Sequence, residues 1–279
     1  MIHIVTDSTA QLTPDEITTN KLTVIPLQVT FEGQTYLDNV NLTREAFSKM
    51  LDDDQSEFPK TSQPALGQFV DTYQKIMEAD PNGTIISIHL TDVLSGTLET
   101  ARTAAKQVDG DIRVLNSELT DRGQGFVVLK AAKLAATGKD ADAVEQATIE
   151  FSKKIYLSVF VNSFDYLVKG GRANRVVGFI SSLIRLKPVL KLQDNKLQFV
   201  AKCRGSKKFK ATRDQITDQL IADKSVTAVG LSYVDSRADV DAVAERIHQE
   251  RPDIDVLVRL TCPVIMTHVG PGGFAIIYQ

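Results

Sequence analysis

The side chains best placed to do chemistry in this 279-residue sequence sit in short polar segments beside apolar runs. The most informative is Ser95-Gly96-Thr97. It ends a segment that begins with the apolar run Thr84-Ile-Ile-Ser-Ile-His-Leu, and it opens a stretch in which Leu98, Ala101, Ala104 and Ala105 recur at helical spacing. Ser95 stands where a helix N-cap belongs, and Gly96 leaves backbone N–H groups open to an approaching group. A hydroxyl, free amides and the positive end of a helix dipole together make a seat for a negative oxygen. A phosphate, a carboxylate and a reacting carbonyl all fit that description.

Four further segments carry similar potential. Asp7-Ser8-Thr9 follows the first apolar run, and Lys60-Thr61-Ser62-Gln63-Pro64 precedes a helical pattern, so Thr61 and Ser62 read as capping hydroxyls. Gly170-Gly171-Arg172 contributes a guanidinium, and His268-Val269-Gly270-Pro271-Gly272 an imidazole beside flexible backbone. Ordinary turns and caps account for several of these. His268 is harder to dismiss, because a turn rarely needs a histidine. Ser95, His268 and Asp7 could in principle be nucleophile, base and orienting acid of a serine hydrolase acting on acyl esters. Against this, the sequence has no G-x-S-x-G elbow, and a helix-capping serine is an unusual nucleophile.

The elements that must position these residues alternate between strand and helix over the first half. Ile2–Val5, Thr84–Leu90 and Ile112–Leu115 read as strands, and Leu22–Phe31 as a longer extended run. Helices are expected at 14–20, 43–51, 64–79 with Pro64 in the first turn, 95–108, 121–136 and 141–154. After Tyr156 the pattern changes. A strand at 156–161 leads to a helix near 176–185, then to extended segments at 186–191 and 196–202 around the turn Gln193-Asp-Asn195. A helix at 206–222, a strand at 226–233, a helix at 239–250 and strands at 256–259 and 274–278 complete the chain. The expected fold is α/β: a Rossmann-like three-layer domain with a parallel sheet over residues 1–155, then a two-layer α/β domain with a mixed or antiparallel sheet over 156–279.

Composition narrows the function classes. The four histidines are scattered at 3, 89, 248 and 268 with no HExxH, and Cys203 and Cys262 form no CxxC pair. Neither a metal site nor a disulfide framework is expected. No apolar run is long enough for a bilayer, and Met1-Ile-His-Ile-Val-Thr-Asp reads as a first strand, so a cytoplasmic location without stable membrane insertion is expected. The net charge of −3 conceals an asymmetry: from Lys169 to Lys210, twelve Lys and Arg residues face one acid, Asp194. Such an excess suggests a face that meets something anionic. It lacks a recognition-helix motif or interleaved aromatics, so nucleic acid is not the expected partner.

Five of these segments together resemble the DegV family of bacterial fatty-acid-binding proteins. The family's D-S-T/S, T-S-Q-P, S-G-T/S, G-G-R and H-x-G-P-G motifs have counterparts at Asp7–Thr9, Thr61–Pro64, Ser95–Thr97, Gly170–Arg172 and His268–Gly272, in that order along essentially the whole chain. The resemblance implies a non-catalytic binder of one long-chain, palmitate-like fatty acid that serves lipid transport and metabolism and needs no cofactor. It implies that Thr61 and Ser95 hold the carboxylate, with Ser62, Gly96 and His268 completing the network. It further implies presentation of the acid to a separate ATP-binding fatty acid kinase subunit, with Arg172 beside the reacting group. Lys207 and Lys208, in the basic window, are expected to face that partner. The chemistry agrees: burying roughly 14 methylenes at about 0.8 kcal/mol each is on the order of 11 kcal/mol before ordering costs, so the tail holds and the head selects. Phe160, Phe164, Phe179, Ile180 and Ile184 are candidate tunnel residues, or equally plain core.

Overall fold

The computed structural model describes residues 1–52, 57–180 and 186–279. Its first half is built on a parallel sheet of β1 (Ile2–Asp7), β2 (Thr23–Ile25), β6 (Thr84–His89) and β7 (Asp111–Asn116), in the order β2-β1-β6-β7. Side chains alternate across this sheet. Ile85 packs with Phe69, Tyr73 and Met77 of α3 (Leu66–Ala79) and with Ala101 and Ala104 of α4 (Thr97–Ala105). Ile86 and Ile88 meet α5 (Asp121–Ala136) and α6 (Ala141–Ser152) on the other face. The expected three-layer arrangement is therefore present. The short helix α1 (Pro14–Thr19) links β1 to β2 and carries a full capping box between Thr13 and Glu16.

The second half forms a mixed six-stranded sheet: β8 (Tyr156–Phe160), β9 (Lys187–Gln193), β10 (Lys196–Cys203), β11 (Ala228–Tyr233), β12 (Asp255–Leu260) and β13 (Phe274–Tyr278), ordered β10-β9-β8-β13-β11-β12. Only the β11–β12 pair is parallel. The β9–β10 hairpin turns at Asp194 and Asn195, both with positive φ (50° and 52°), as a two-residue primed turn requires. Helices α8 (Gly205–Ala222) and α9 (Ala238–Glu250) cover the outer face through Phe209, Ile216, Leu220, Val240, Val243 and Ile247. On the inner face, Leu157, Leu190, Leu192 and Ile277 join the same apolar cluster as α5, so that helix lies between the two sheets.

Several local expectations are corrected. The run 22–31 is broken at Pro26, which cannot donate to a ladder, and its second half becomes β3 (Gln28–Phe31) of a separate antiparallel sheet ordered β4-β3-β5. Its partners are β4 (Gln34–Leu37) and β5 (Lys60–Ser62), and it packs on α2 (Arg44–Asp52). The helix expected from Pro64 begins at Leu66, because Ala65 is the N-cap and Gln68 accepts from its N–H. In place of a helix near 176–185 the chain makes a short 3-10 turn at Ala173–Arg175 and is not helical through Ile180; 181–185 lie outside the described residues. Two short helices were not anticipated: α7 (Phe164–Lys169) and α10 (Pro263–Val269).

Candidate ligand-binding site

A mostly apolar cavity, of about 980 Å³ including its open mouth, lies on the inner face of the six-stranded sheet. Its floor is made by Leu157, Val159 and Val161 of the β8 segment, Leu190 and Leu192 of β9, and Leu197 of β10. These residues share a face because side chains repeat every second position and the antiparallel register sets Leu157 opposite Leu192 and Val159 opposite Leu190. Val264 and Ile265 of α10 and Leu94 close over them. The aromatic candidates lie elsewhere. Phe160, one residue out of phase with the floor, stacks on Phe274 and meets Phe209 under α8. Phe164 packs with Phe179 and Phe199 in the core, Ile180 is 60% exposed, and Ile184 is outside the described residues.

At the polar end, Thr61, Ser62, Ser95, Arg172 and His268 all line this one cavity although they come from four distant segments. Thr61 and Ser62 are not helix caps. Both lie in β5, where Thr61 pairs with Val29 and Ser62 with Gln28. Pro64 biases Gln63, the residue after β5, away from helical backbone, so no helix starts directly from the strand. Thr61 Oγ1 is 2.8 Å from His268 Nε2. His268 is in the last turn of α10, not in a loop.

The protonation of His268 follows from its surroundings. Burial, aided by the nearby Arg172 charge, pushes its pKa down to about 3, so the ring is neutral. Nδ1 is buried without a hydrogen-bond partner, and it faces Gly170, whose missing side chain makes room for the ring. A buried N–H without an acceptor costs more than an idle lone pair, so the single proton belongs on Nε2. Nε2–H then donates to Thr61 Oγ1, and the Thr61 hydroxyl hydrogen is left to donate elsewhere.

Ser95 lies one position before the N-cap, which is Gly96. Its Oγ accepts from the Thr97 N–H at 3.3 Å and lies 2.9 Å from Thr97 Oγ1. A β-carbon on Gly96 would overlap Gln63 Oε1, so this glycine lets the β5–α3 connection lie against the start of α4. Arg172 donates from Nε to the Leu94 carbonyl at 3.0 Å and from Nη1 to the Gly170 carbonyl at 2.8 Å. It makes no ion pair among the described residues, and burial lowers its pKa. The polar end thus holds three hydroxyls, a neutral imidazole and one cation without an ion-pair partner among the described residues. This arrangement favours a small anion.

The hydrolase constellation is not assembled. Asp7, fully buried, accepts from His89 Nδ1 at 3.0 Å, from the Leu90 N–H and from Gln124, while His268 bonds Thr61. Burial alone would raise the Asp7 pKa, but these donors hold it below the ordinary value. Lys207 and Lys208 are exposed in the first turn of α8 and do not line the cavity. That turn leaves the sheet where β10 ends and β9 begins, the end from which β8 continues toward α7 and Arg172. The residues missed at the sequence level are the aliphatic floor and Thr120, Asp121, Ser232 and Thr261, which with Thr9 of the Asp7–Thr9 segment add further polar groups to the cavity wall.

A parallel α/β unit joined to a mixed-sheet unit, with an apolar cavity bordered by hydroxyls, is the architecture of a DegV-type protein. The family model described as "Uncharacterised protein, DegV family" matches residues 1–279, and the chain belongs to that family. A DegV domain-containing protein of Streptococcus pneumoniae is 34% identical over 280 residues, covering 100% of this chain and 98% of the relative. One from Listeria innocua is 37% identical over 282 residues, covering 99% and 98%. Among solved structures, DegV of Bacillus subtilis, described as a fatty acid binding protein, superimposes with a TM-score of 0.91 at 28% identity over 99% of this chain and 98% of that one. A fatty-acid-binding DegV family protein of Thermus thermophilus gives 0.88 at 26% identity, covering 100% and 99%.

Proposed function

We propose that this protein binds one long-chain, palmitate-like fatty acid in the apolar cavity, with the carboxylate held by Thr61 and Ser95. The observation that carries the reading is the continuity of that cavity, from the Leu157–Leu192 floor to a polar end holding Thr61, Ser62, Ser95, Arg172 and His268. The fatty-acid-binding relatives support it. On this reading His268 is a positioning residue: by donating to Thr61 it aims the Thr61 hydroxyl at the carboxylate. Ser95 donates from its own hydroxyl, and Gly96 lets Gln63 pack against the start of α4 beside it. Residues 1–155 carry the head-group loops and 156–279 most of the acyl wall. Mass spectrometry of lipid extracted from the purified protein tests the assignment. Recovery of no fatty acid, or equal recovery from a Thr61→Val, Ser95→Ala double variant, would sink it.

The protein itself performs no catalysis on this reading, and presents the carboxyl group to a separate ATP-binding kinase subunit in the cytoplasm. Arg172, anchored by two carbonyls, is suited to steady the added charge of an acyl phosphate. Lys207 and Lys208 extend the basic surface toward an acidic partner. No helix among the described residues is long and apolar enough to cross a membrane. With the kinase subunit supplied, Arg172→Ala should retain lipid but form acyl phosphate slowly. Unchanged association after Lys207→Glu, Lys208→Glu would remove the docking role of that surface.

A further inference from the structure

A second cavity, of about 1000 Å³ including its open mouth, lies at the carboxyl ends of β1 and β2. The turn Ser8–Ala10 separates it from the first: Thr9 lines one cavity, Asp7 and Ser8 the other. Val40, 65% exposed, stands among its lining residues. Carboxyl ends of parallel strands are where ligands of open α/β sheets gather.

Its wall holds two guanidinium groups, of Arg44 and Arg259, together with the carboxyls of Asp7 and Asp38. Arg44 donates from Nε to Asn39 Oδ1 at 2.9 Å and from Nη1 to the Leu260 carbonyl at 2.7 Å and to Gln11 Oε1. Arg259 uses Nη1 alone, toward the Gln11 and Leu12 carbonyls. Neither forms an ion pair among the described residues, and Arg44 Nη2, Arg259 Nε and Arg259 Nη2 have no hydrogen-bond partner there. The neighbouring Arg122 is already neutralised by a two-pronged pair with Glu16. Burial and the Arg44 charge push the Arg259 pKa down to about 10, offset only in part by the Glu16 carboxylate.

The same cavity is lined by Asp7, Ser8 and Asp38, and the Ser8 hydroxyl donates to Asp38 at 2.6 Å. Burial raises the Asp38 pKa to about 7. We infer that this second cavity is a binding site for a small organic phosphate, its oxygens taken by the open N–H groups of Arg44 and Arg259 and its hydroxyl-bearing part facing Ser8 and Asp38. Guanidinium forks match the spacing of phosphate oxygens, and two of them with spare donors suit a dianion better than a single carboxylate.

Inorganic phosphate is the probe, titrated into the full-length protein against chloride at equal ionic strength. At about ten times Kd it should raise Tm by about 3–5 °C. The rise should persist in Ser95→Ala, which leaves the first cavity's head group crippled, and vanish in Arg259→Gln. Phosphate should also slow phenylglyoxal modification of Arg259 in the wild-type protein severalfold, a readout independent of any variant's folding. A Tm that responds equally to chloride, no protection of Arg259, or a response lost in Ser95→Ala would each overturn the proposal.

Discussion

Gly170 and His268 pack so closely that a β-carbon on the glycine would overlap the imidazole at Nδ1 and Cε1. The ring is thereby fixed from behind while Nε2 reaches Thr61 at 2.8 Å. A residue in one motif thus sets the geometry of another nearly a hundred positions away.

Gly170→Ala should push the ring off Thr61 and weaken fatty-acid retention about tenfold, with overpacking costing about 1–3 kcal/mol of stability. Competition with a fluorescent fatty acid measures the first effect and urea midpoints the second. Wild-type retention in a variant of unchanged stability would show that the contact is slack.

Thr61→Val keeps the strand-forming shape of β5 and removes only the hydroxyl, so it should lower affinity by about tenfold without altering far-UV circular dichroism. Thr61→Ser should restore most of the loss. A Thr61→Ser variant as weak as Thr61→Val would assign the effect to the methyl group instead.

The pH dependence of stability should contain two opposing contributions. His268 binds a proton in the unfolded chain below about 6.5 but in the folded one only near 3, so its contribution is lost as pH falls through that window. Asp38 stays protonated up to about 7 when folded and ionises near 3.8 when unfolded, so its contribution is lost as pH rises through that window. Between pH 6.5 and 5 the His268 part amounts to about 2 kcal/mol. In lipid-free protein, His268→Gln should therefore flatten the acid side of the profile, read as urea midpoints at the two pH values. Parallel profiles for wild type and variant would refute the buried neutral histidine.

Val159→Phe fills the floor between Leu157 and Val161, and should shift co-purified lipid toward shorter chains, detected by mass spectrometry of the extract. An unchanged chain-length distribution would place the tail along another path.

Much of this was readable from residues alone. The apolar alternation of Ile85, Ile86 and Ile88 made the parallel sheet legible, and Asp194-Asn195 gave away the hairpin. What failed was local detail governed by tertiary context. Thr61 and Ser62 look like caps beside Pro64, and only pairing with Gln28 and Val29, more than thirty residues earlier, makes them strand residues. Phe160 is as apolar as Val159, and a single step in a period-two pattern sends it to the opposite face of the sheet. The Asp7–His89 pair and the Arg44–Arg259 wall join residues far apart in the chain, so no window of sequence displays them.

Thr61 and His268 are separated by 207 positions, and Arg172 reaches Leu94 across 78. Bonds that close such long loops offer nothing to an early nucleus and are expected to form late, after the entropy of closure has been met by packing elsewhere. A chain in which only the parallel sheet has formed would lack His268 behind Thr61 and the β8–β10 floor. On the proposed reading, ligand capture is therefore a report on completed folding: a partly folded chain is blind to the lipid, and occupancy begins only when the last long-range contacts close.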